Sequence, residues 1–183
     1  MRTVALYGGS FDPPHRGHEA VVNALNRLDF VDKIVIMPTY LNPFKKVFTA
    51  EAALRYKWLK EIFSDYEKVE VSSFEIDKKR KVPTIESVRE LQKEFDTIYL
   101  VIGADNLEKL KEWYQFELLE KAVTFIVASR DNIPIPQDYI ALHVDEKISS
   151  SALREHIELS KLPQKCAQEI YNTYSKEHNA KKN

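Results

Sequence analysis

The sequence predicts an α/β fold in which helices cover both faces of a doubly wound parallel sheet, with a helical C-terminal part. Short apolar runs rich in β-branched residues alternate with longer segments of helical period along most of the chain. No internal repeat, low-complexity stretch or Pro/Gly/Ser-rich linker divides these units. With 183 residues, 44% hydrophobic and 30% charged, the chain fits one domain with a buried core.

The strand candidates are short runs in which β-branched and aromatic residues are frequent. They are Thr3–Tyr7, Lys33–Met37, Val69–Ser73, Thr97–Ile102, Thr124–Ala128 and, as a sixth candidate, Ile140–Val144. Between them lie apolar stripes with helical spacing, which should pack on the sheet. These stripes are Val21, Leu25 and Leu28; Leu54, Trp58 and Ile62; and Ile85, Val88 and Leu91.

The last third of the chain changes character. One helix is predicted to begin in the serine run 149–151, and another to extend from about Pro163 to His178, because proline suits an early helical position. We therefore predict a single domain over residues 1–183. Its tail, about 175–183, has almost no apolar content and is expected to fray.

Composition excludes several classes of function. Lys and Arg number 27 against 28 for Asp and Glu, so the net charge of -1 gives no basic field to hold nucleic acid. Cys166 is the only cysteine, which excludes an internal disulfide and a multi-cysteine zinc site. The apolar run at the N-terminus is too short for a signal peptide or a membrane span. We expect a cytoplasmic protein without a membrane partner, and the sequence leaves a homo-oligomer open.

The first strand enters a turn that is suited to binding phosphate. The segment from Gly8 to His18 reads GGSFDPPHRGH, in which two glycines permit close backbone approach and the following helix offers N-terminal amides. It matches neither the Walker sequence nor G-x-G-x-x-G. His15 and His18 are three residues apart, which puts both rings on one side of the first helical turn. We interpret them as hydrogen-bond donors to a phosphate, whereas a lone histidine would more often be structural.

Four further segments accompany this turn. They are Ile148–Arg154 (ISSSALR), Ile102–Asp105 (IGAD), Pro83–Ser87 (PTIES) and Ser129–Arg130. Together with Gly8–Pro13 and His15-x-Gly17-His18, they resemble the H-x-G-H nucleotidyltransferase superfamily and, within it, the bacterial nicotinate-nucleotide adenylyltransferases. The resemblance extends from Met1 to about Tyr174.

The resemblance implies a Rossmann-like nucleotidyltransferase fold and adenylyl transfer from ATP to nicotinate mononucleotide, giving nicotinate adenine dinucleotide and pyrophosphate for NAD biosynthesis. The implied catalytic residues are His15, His18, Lys45 and Arg154. The implied ATP contacts are Gly8, Gly9, Ser10, Phe11, His15, His18, Gly103, Asp105, Arg130, Ile148, Ser150, Ser151 and Arg154. Those to nicotinate mononucleotide are Gly9, Ser10, Lys45, Thr84, Asp105 and Trp113. No protein-held metal is expected. Mg²⁺ should arrive with ATP, because no carboxylate cluster has metal-ligand spacing.

Structural alternatives stay open for several of these residues. Asp105 with Glu108 fits a capping box, and the serine run fits an ordinary helix N-cap followed by a solvated Arg154. Trp113 could be a core residue and Arg130 a surface residue at a strand end.

The loop after the second strand departs from the family pattern. Phe44 stands where the family usually has histidine, and Lys46 rivals Lys45 as the family lysine. Two rival functions stay open. One is another H-x-G-H enzyme that shares the first motif, such as phosphopantetheine adenylyltransferase or a cytidylyltransferase, and the other is an inactive nucleotide sensor, which Phe44 favours.

Overall fold

A computed structural model describes residues 1–40 and 50–182, and its centre is a six-stranded, all-parallel sheet. The strands are β1 Thr3–Gly9, β2 Lys33–Pro38, β3 Val69–Val71, β4 Thr97–Gly103, β5 Thr124–Ala128 and β6 Ile140–Leu142. Their spatial order is β3-β2-β1-β4-β5-β6. The predicted fold class is confirmed, and all six strand candidates are strands.

Two strands end earlier than predicted because serine side chains intervene. β3 stops at Val71, where the Ser72 hydroxyl accepts from the Phe74 amide and the chain turns. β6 stops at Leu142, because the amide of Val144 donates to the Ser129 hydroxyl instead of to a backbone carbonyl. These side chains replace the ladder bonds that a longer strand would need.

Helices follow most strands. They are α1 Arg16–Asn26, α2 Ala52–Ile62, α3 Phe74–Asp77, α4 Thr84–Leu91, α5 Phe116–Ala122, α6 Ser150–Glu155 and α7 Ala167–Lys182, with 3₁₀ helices at Ala104–Glu112 and Leu159–Lys161. The predicted stripes lie in α1, α2 and α4, except that Leu28 lies just beyond α1. Most of their members are buried, as a helix face on a sheet requires.

Side chains alternate between two cores along the strands, as the period of a strand dictates. In β1, Ala5 lies in the core under α1, α2 and α7, whereas Val4 and Leu6 lie in the core under α4 and α5. Helices therefore cover both faces of the sheet. Because both sides of each central strand are buried, these strands are continuous runs of apolar residues.

The C-terminal helix α7 begins at Ala167, so the predicted start at Pro163 is wrong. Cys166 has a φ of 67°, in the left-handed region that an α-helix cannot include, so the helix begins only after it. The backbone of α7 continues to Lys182 across the tail from 175. Fraying of that tail stays a prediction.

The sheet topology indicates where a ligand should bind. The strand order reverses between β1 and β4, and ligands of such sheets bind outside the carboxyl ends at that point. Over residues 1–40 and 50–182, no helix has the length and apolar character needed to span a membrane.

Candidate active site

A cleft of about 580 Å³ lies at the carboxyl ends of β1, β4 and β5. It brings together predicted site residues from four distant segments of the chain. Those that line it are Gly8, Ser10, Phe11, His15, His18, Gly103, Asp105, Arg130, Ile148, Ser150, Ser151 and Arg154. The cleft therefore gathers nearly all the residues predicted to contact ATP.

The two histidines begin helix α1 and cap each other. His15 is the N-cap residue, and its Nδ1 accepts from the Gly17 amide at 3.0 Å. In return, Nδ1 of His18 accepts from the His15 amide at 3.1 Å. Because both Nδ1 atoms accept, the ring proton of each histidine is on Nε2. The arrangement is a capping box built from imidazoles, which sequence reasoning missed.

The capping box occupies one of the helix N-terminal amides in the first turn. The Gly17 amide donates to the His15 ring. Glycine is required at 17, since an added Cβ would lie 2.8 Å from two atoms of that ring. At α1, donors to a ligand must therefore come from side chains rather than from this amide.

Both imidazoles are neutral near pH 7. Burial lowers the pKa of His15 to about 3, with the charge of Arg130 contributing. Burial, His15 and Arg130 lower the pKa of His18 well below its ordinary value. The rings stack with centroids 3.7 Å apart, and the Phe11 ring meets His18 edge-on at 4.7 Å. The site thus presents two fixed, uncharged Nε2–H donors.

The segment that begins α6 packs directly on the first turn. The Ser150 hydroxyl donates to the Pro13 carbonyl at 3.0 Å, and Nη1 of Arg154 donates to the Asp12 carbonyl at 2.7 Å. Nε of Arg154 is buried and has no hydrogen-bond partner among the described residues. Ser149 is the N-cap, accepting from the Ala152 amide. The two flanking segments of the chain therefore meet at one place.

Asp105 does not cap its helix, which excludes the alternative of a capping box with Glu108. The N-cap of this 3₁₀ helix is Gly103, whose carbonyl accepts from Asn106 Nδ2 at 3.2 Å. The Asp105 carboxylate instead lies over Gly103, where an added Cβ would come within 2.5 Å of Oδ1. Gly103 is needed for this close approach, and Asp105 stays in the cleft wall.

Arg130 follows β5, lines the cleft and has a side chain that is 40% exposed. Its Nε lies 3.6 Å from Asp131 Oδ2, and its charge contributes to the lowered pKa of both histidines. This arginine supplies positive charge to the cleft that holds the two neutral rings.

Sequence reasoning also missed a buried network beneath the first turn. Arg55, Asp12 and Tyr174 are almost fully buried, and the hydroxyl of Tyr174 donates to Asp12 Oδ1. The sequence of α2 contains a sign of this network, because Arg55 lies on the same helical stripe as the apolar residues Trp58, Leu59 and Ile62. A charged residue within an apolar stripe indicates buried hydrogen bonds.

Comparison with known proteins places this geometry in a family. The model of the cytidylyltransferase-like family matches residues 6–156. A protein of Sulfurimonas denitrificans named "Probable nicotinate-nucleotide adenylyltransferase" is 58% identical, covering 97% of this chain and 98% of the relative. A Campylobacter jejuni protein of the same name is 46% identical, covering 94% and 97%. The chain belongs to the nicotinate-nucleotide adenylyltransferase family.

A solved structure agrees on the fold. The nicotinic acid mononucleotide adenylyltransferase of Plasmodium falciparum, complexed with NaAD, has a TM-score of 0.77 at 20% identity. The alignment covers 96% of this chain and 98% of that one. The Rossmann-like nucleotidyltransferase fold expected for the family is thus confirmed.

Only some of the residues expected to meet nicotinate mononucleotide line the cleft. Ser10 and Asp105 line the cleft, whereas Thr84 is the first residue of α4 and Trp113 follows the 3₁₀ helix Ala104–Glu112. Trp113 is partly buried against the core under α4, so core packing is part of its role.

Two other expected contacts lie away from the cleft lining or outside the described residues. The Gly9 carbonyl accepts from the Thr39 amide, which joins β1 to the end of β2. Lys45, together with its rival Lys46 and with Phe44, lies outside the described residues. Within 1–40 and 50–182, no group of three or more His, Cys, Asp or Glu side chains could hold a metal ion.

Proposed function

We propose that this chain transfers the adenylyl group of ATP to nicotinate mononucleotide, releasing pyrophosphate and forming the dinucleotide precursor of NAD. One observation carries the proposal. His15, His18 and Arg154, which come from opposite ends of the sequence, line one cleft at the point where the strand order reverses. Full-length similarity to relatives of that name supports the same reaction.

The chemistry requires positioning rather than a general base. The 5′-phosphate of nicotinate mononucleotide is largely dianionic at pH 7, since the second pKa of a phosphomonoester is about 6. One of its oxygens forms a bond to the α-phosphorus of ATP, while the bond from that phosphorus to the β-phosphate bridge oxygen breaks. The electron pair leaves with pyrophosphate. The enzyme must align these atoms and stabilise the shifting charge.

We assign that stabilisation to the cleft side chains. His18 donates from Nε2 to the α-phosphate, and His15 and Arg154 donate to the outer phosphates. Neutral imidazoles suit this task because they donate without a proton that must first be gained or lost. Arg154 lines the cleft, and the hydrogen bond from its Nη1 to the Asp12 carbonyl holds the guanidinium there. Ser150, Ser151 and Arg130 are further proposed contacts to ATP.

We propose that Mg²⁺ enters on the phosphates of ATP. The described residues carry no cluster of metal ligands, which supports delivery with the nucleotide. When bound, the ion neutralises phosphate charge. A cytoplasmic location is proposed from the single cysteine, which suits a reducing compartment.

We assign the binding of the nicotinate ring and its carboxylate to Trp113 and the start of α4. The described side chains make no cap bond to the start of α4, and helix N-terminal amides favour an anion over a neutral amide. Thr84 adds a hydroxyl at the same helix start, and the Trp113 ring offers a flat wall for pyridine. This end selects nicotinate over nicotinamide.

Pyrophosphate release under ATP and Mg²⁺ tests the proposal. Three acceptors should be compared, namely nicotinate mononucleotide, its amide and phosphopantetheine, with CTP replacing ATP in a fourth reaction. We expect the highest kcat/KM with ATP and nicotinate mononucleotide, by at least about tenfold over the amide, since one charge-assisted hydrogen bond is worth that much. Equal rates with phosphopantetheine, faster turnover with CTP, or ATP binding without release of pyrophosphate would each contradict it.

A further inference from the structure

The first turn has a strained backbone that neighbouring side chains hold in place. Phe11 has a φ of 50°, a left-handed conformation that non-glycine residues keep only where the surroundings impose it. Its ring is buried and contacts the rings of His18 and Tyr7. A shift of Phe11 would therefore move the imidazole that faces the α-phosphate.

Arg55 binds the backbone of Ser10, the residue before Phe11. Its Nη1 donates to the Ser10 carbonyl at 2.6 Å, its Nε to the Ala50 carbonyl at 2.9 Å, and its Nη2 to the Tyr40 carbonyl at 3.1 Å. Arg55 is 1% exposed. Only arginine offers a planar set of donors that can reach three carbonyls at once.

Asp12, the residue after Phe11, is itself held by hydrogen bonds to its side chain. Its Oδ1 accepts from the Ala50 amide at 2.9 Å and from the hydroxyl of Tyr174. Burial lowers the pKa of Arg55, and the charge of Asp12 opposes that shift. Arg55 and Asp12 therefore form a buried charge pair across Ala50, with Tyr174 as the third member.

We propose that Arg55 is a positioning residue for adenylyl transfer, with Asp12 and Tyr174 as its partners. It touches none of the proposed ATP contacts except the Ser10 backbone, and it acts by fixing the turn that sets the places of Phe11, His15 and His18. The inference rests on the proposed function. A misplacement of about 1 Å at such a site can cost about 100-fold in rate.

The first test replaces Arg55 by lysine, which keeps the charge but cannot reach three carbonyls. We expect Arg55→Lys to lower kcat by about 10- to 100-fold while KM for ATP and for nicotinate mononucleotide stays within about threefold, because alignment suffers more than binding. The matched control is Ile62→Ala, in the same buried stripe of α2, which should lower Tm with kcat within about twofold of wild type.

Nitrogen NMR of the histidine rings supplies a readout that does not need turnover. In the wild type, both rings should be neutral with the proton on Nε2. In Arg55→Lys the signals of His15 and His18 should shift, and in Ile62→Ala they should not. A wild type that releases no pyrophosphate would refute the proposed function, and the ring signals would still decide whether Arg55 positions the histidines.

Two outcomes would overturn the proposal. One is an Arg55→Lys protein with kcat within twofold of wild type and unchanged ring signals. The other is a loss confined to KM or to stability, as in the control. If Arg55→Lys does not fold, Tyr174→Phe provides the test, since it removes only the hydroxyl that donates to Asp12. There we expect kcat to fall about three- to tenfold, and unchanged kcat would count against the role.

Discussion

Helices α1 and α4 both begin at a proposed anion site, but their N-termini are held in different ways. At α1, the rings of His15 and His18 cap the backbone, and the Gly17 amide is already bonded. At α4, Pro83 is the N-cap and contributes no side-chain bond, and the described residues supply none in its place. In the proposed arrangement, the triphosphate end would therefore rely on side chains that the first turn aligns, whereas the carboxylate end would rely on backbone amides.

This difference predicts how each end responds to mutation. Donors at α1 face charge that shifts during the reaction, so their loss should lower kcat. Groups around α4 face a carboxylate far from the reacting phosphorus, so their loss should raise KM for nicotinate mononucleotide. The predictions below run from the largest expected effect on turnover to the smallest.

Replacement of His18 should have the largest effect. His18→Ala removes the Nε2–H donor, and kcat should fall by about 10²- to 10³-fold, as for the loss of one oxyanion donor. His18→Gln is the control for the cap, because glutamine is a usual capping-box residue at this position and can accept from the His15 amide. It should retain Tm, and because its amide keeps an N–H donor, its kcat should fall less than that of His18→Ala. A folded His18→Ala protein with near wild-type kcat would mean that His18 serves only as a cap.

Replacement of Arg154 should have the next largest effect. Arg154→Lys keeps the charge but loses the planar guanidinium, whose separate nitrogens can bind the Asp12 carbonyl and a phosphate oxygen in fixed directions. Loss of one charged hydrogen bond should lower kcat/KM about 10- to 100-fold. Arg16→Lys is the control, because Arg16 donates from Nε to the Leu162 carbonyl outside the cleft lining. Equal activity losses in the two variants would refute a phosphate role for Arg154.

Replacement of Trp113 tests the nicotinate end. Trp113→Ala should raise KM for nicotinate mononucleotide about tenfold, since an aromatic pair contributes about 0.5–1.5 kcal/mol beyond area burial. KM for ATP should stay within about twofold. Tyr114→Ala is the control, because its neighbouring ring is 64% exposed. A rise in both KM values would indicate that Trp113 supports only the core.

Features that depend on local sequence patterns could be predicted from the sequence, whereas features that depend on contacts between distant atoms could not. The strands and helical stripes depend on local periodicity, and the residues of the first turn and Ile148–Arg154 have motif spacing, so both were predictable. The reciprocal caps of His15 and His18 and the cover of Gly103 by Asp105 depend on three-dimensional proximity of atoms. No periodic pattern encodes such contacts. Arg55 was visible as a charge in an apolar stripe, but its three carbonyl partners lie in separate segments.

Glu75 gives the smallest expected effect on turnover and tests whether α4 is held independently of the catalytic end. This carboxyl is buried beneath α4, and Ser87 Oγ donates to its Oε2 at 2.8 Å. Burial raises the pKa of Glu75 from 4.5 to about 7, with the charge of Glu86 contributing and the Ser87 bond opposing. Between these two pH values the unfolded chain ionises while the folded chain stays protonated. The folded state therefore loses stability as pH rises from about 4.5 to about 7, and the penalty persists above pH 7.

Glu75→Gln removes that ionisation and keeps an oxygen that accepts from Ser87. We expect its Tm to exceed that of the wild type by several degrees at pH 8, and the two values to converge near pH 4.5, since 1 kcal/mol shifts Tm by about 2–4 °C in a chain of this size. Thermal unfolding at several pH values measures this, with the exposed Glu94→Gln as the control expected to have no such pH-dependent gain. Because α4 is distant from the reacting phosphorus in the proposed arrangement, kcat should change less than about twofold. A kcat that followed the ionisation of Glu75 would instead show that the two ends of the site are coupled through the sheet.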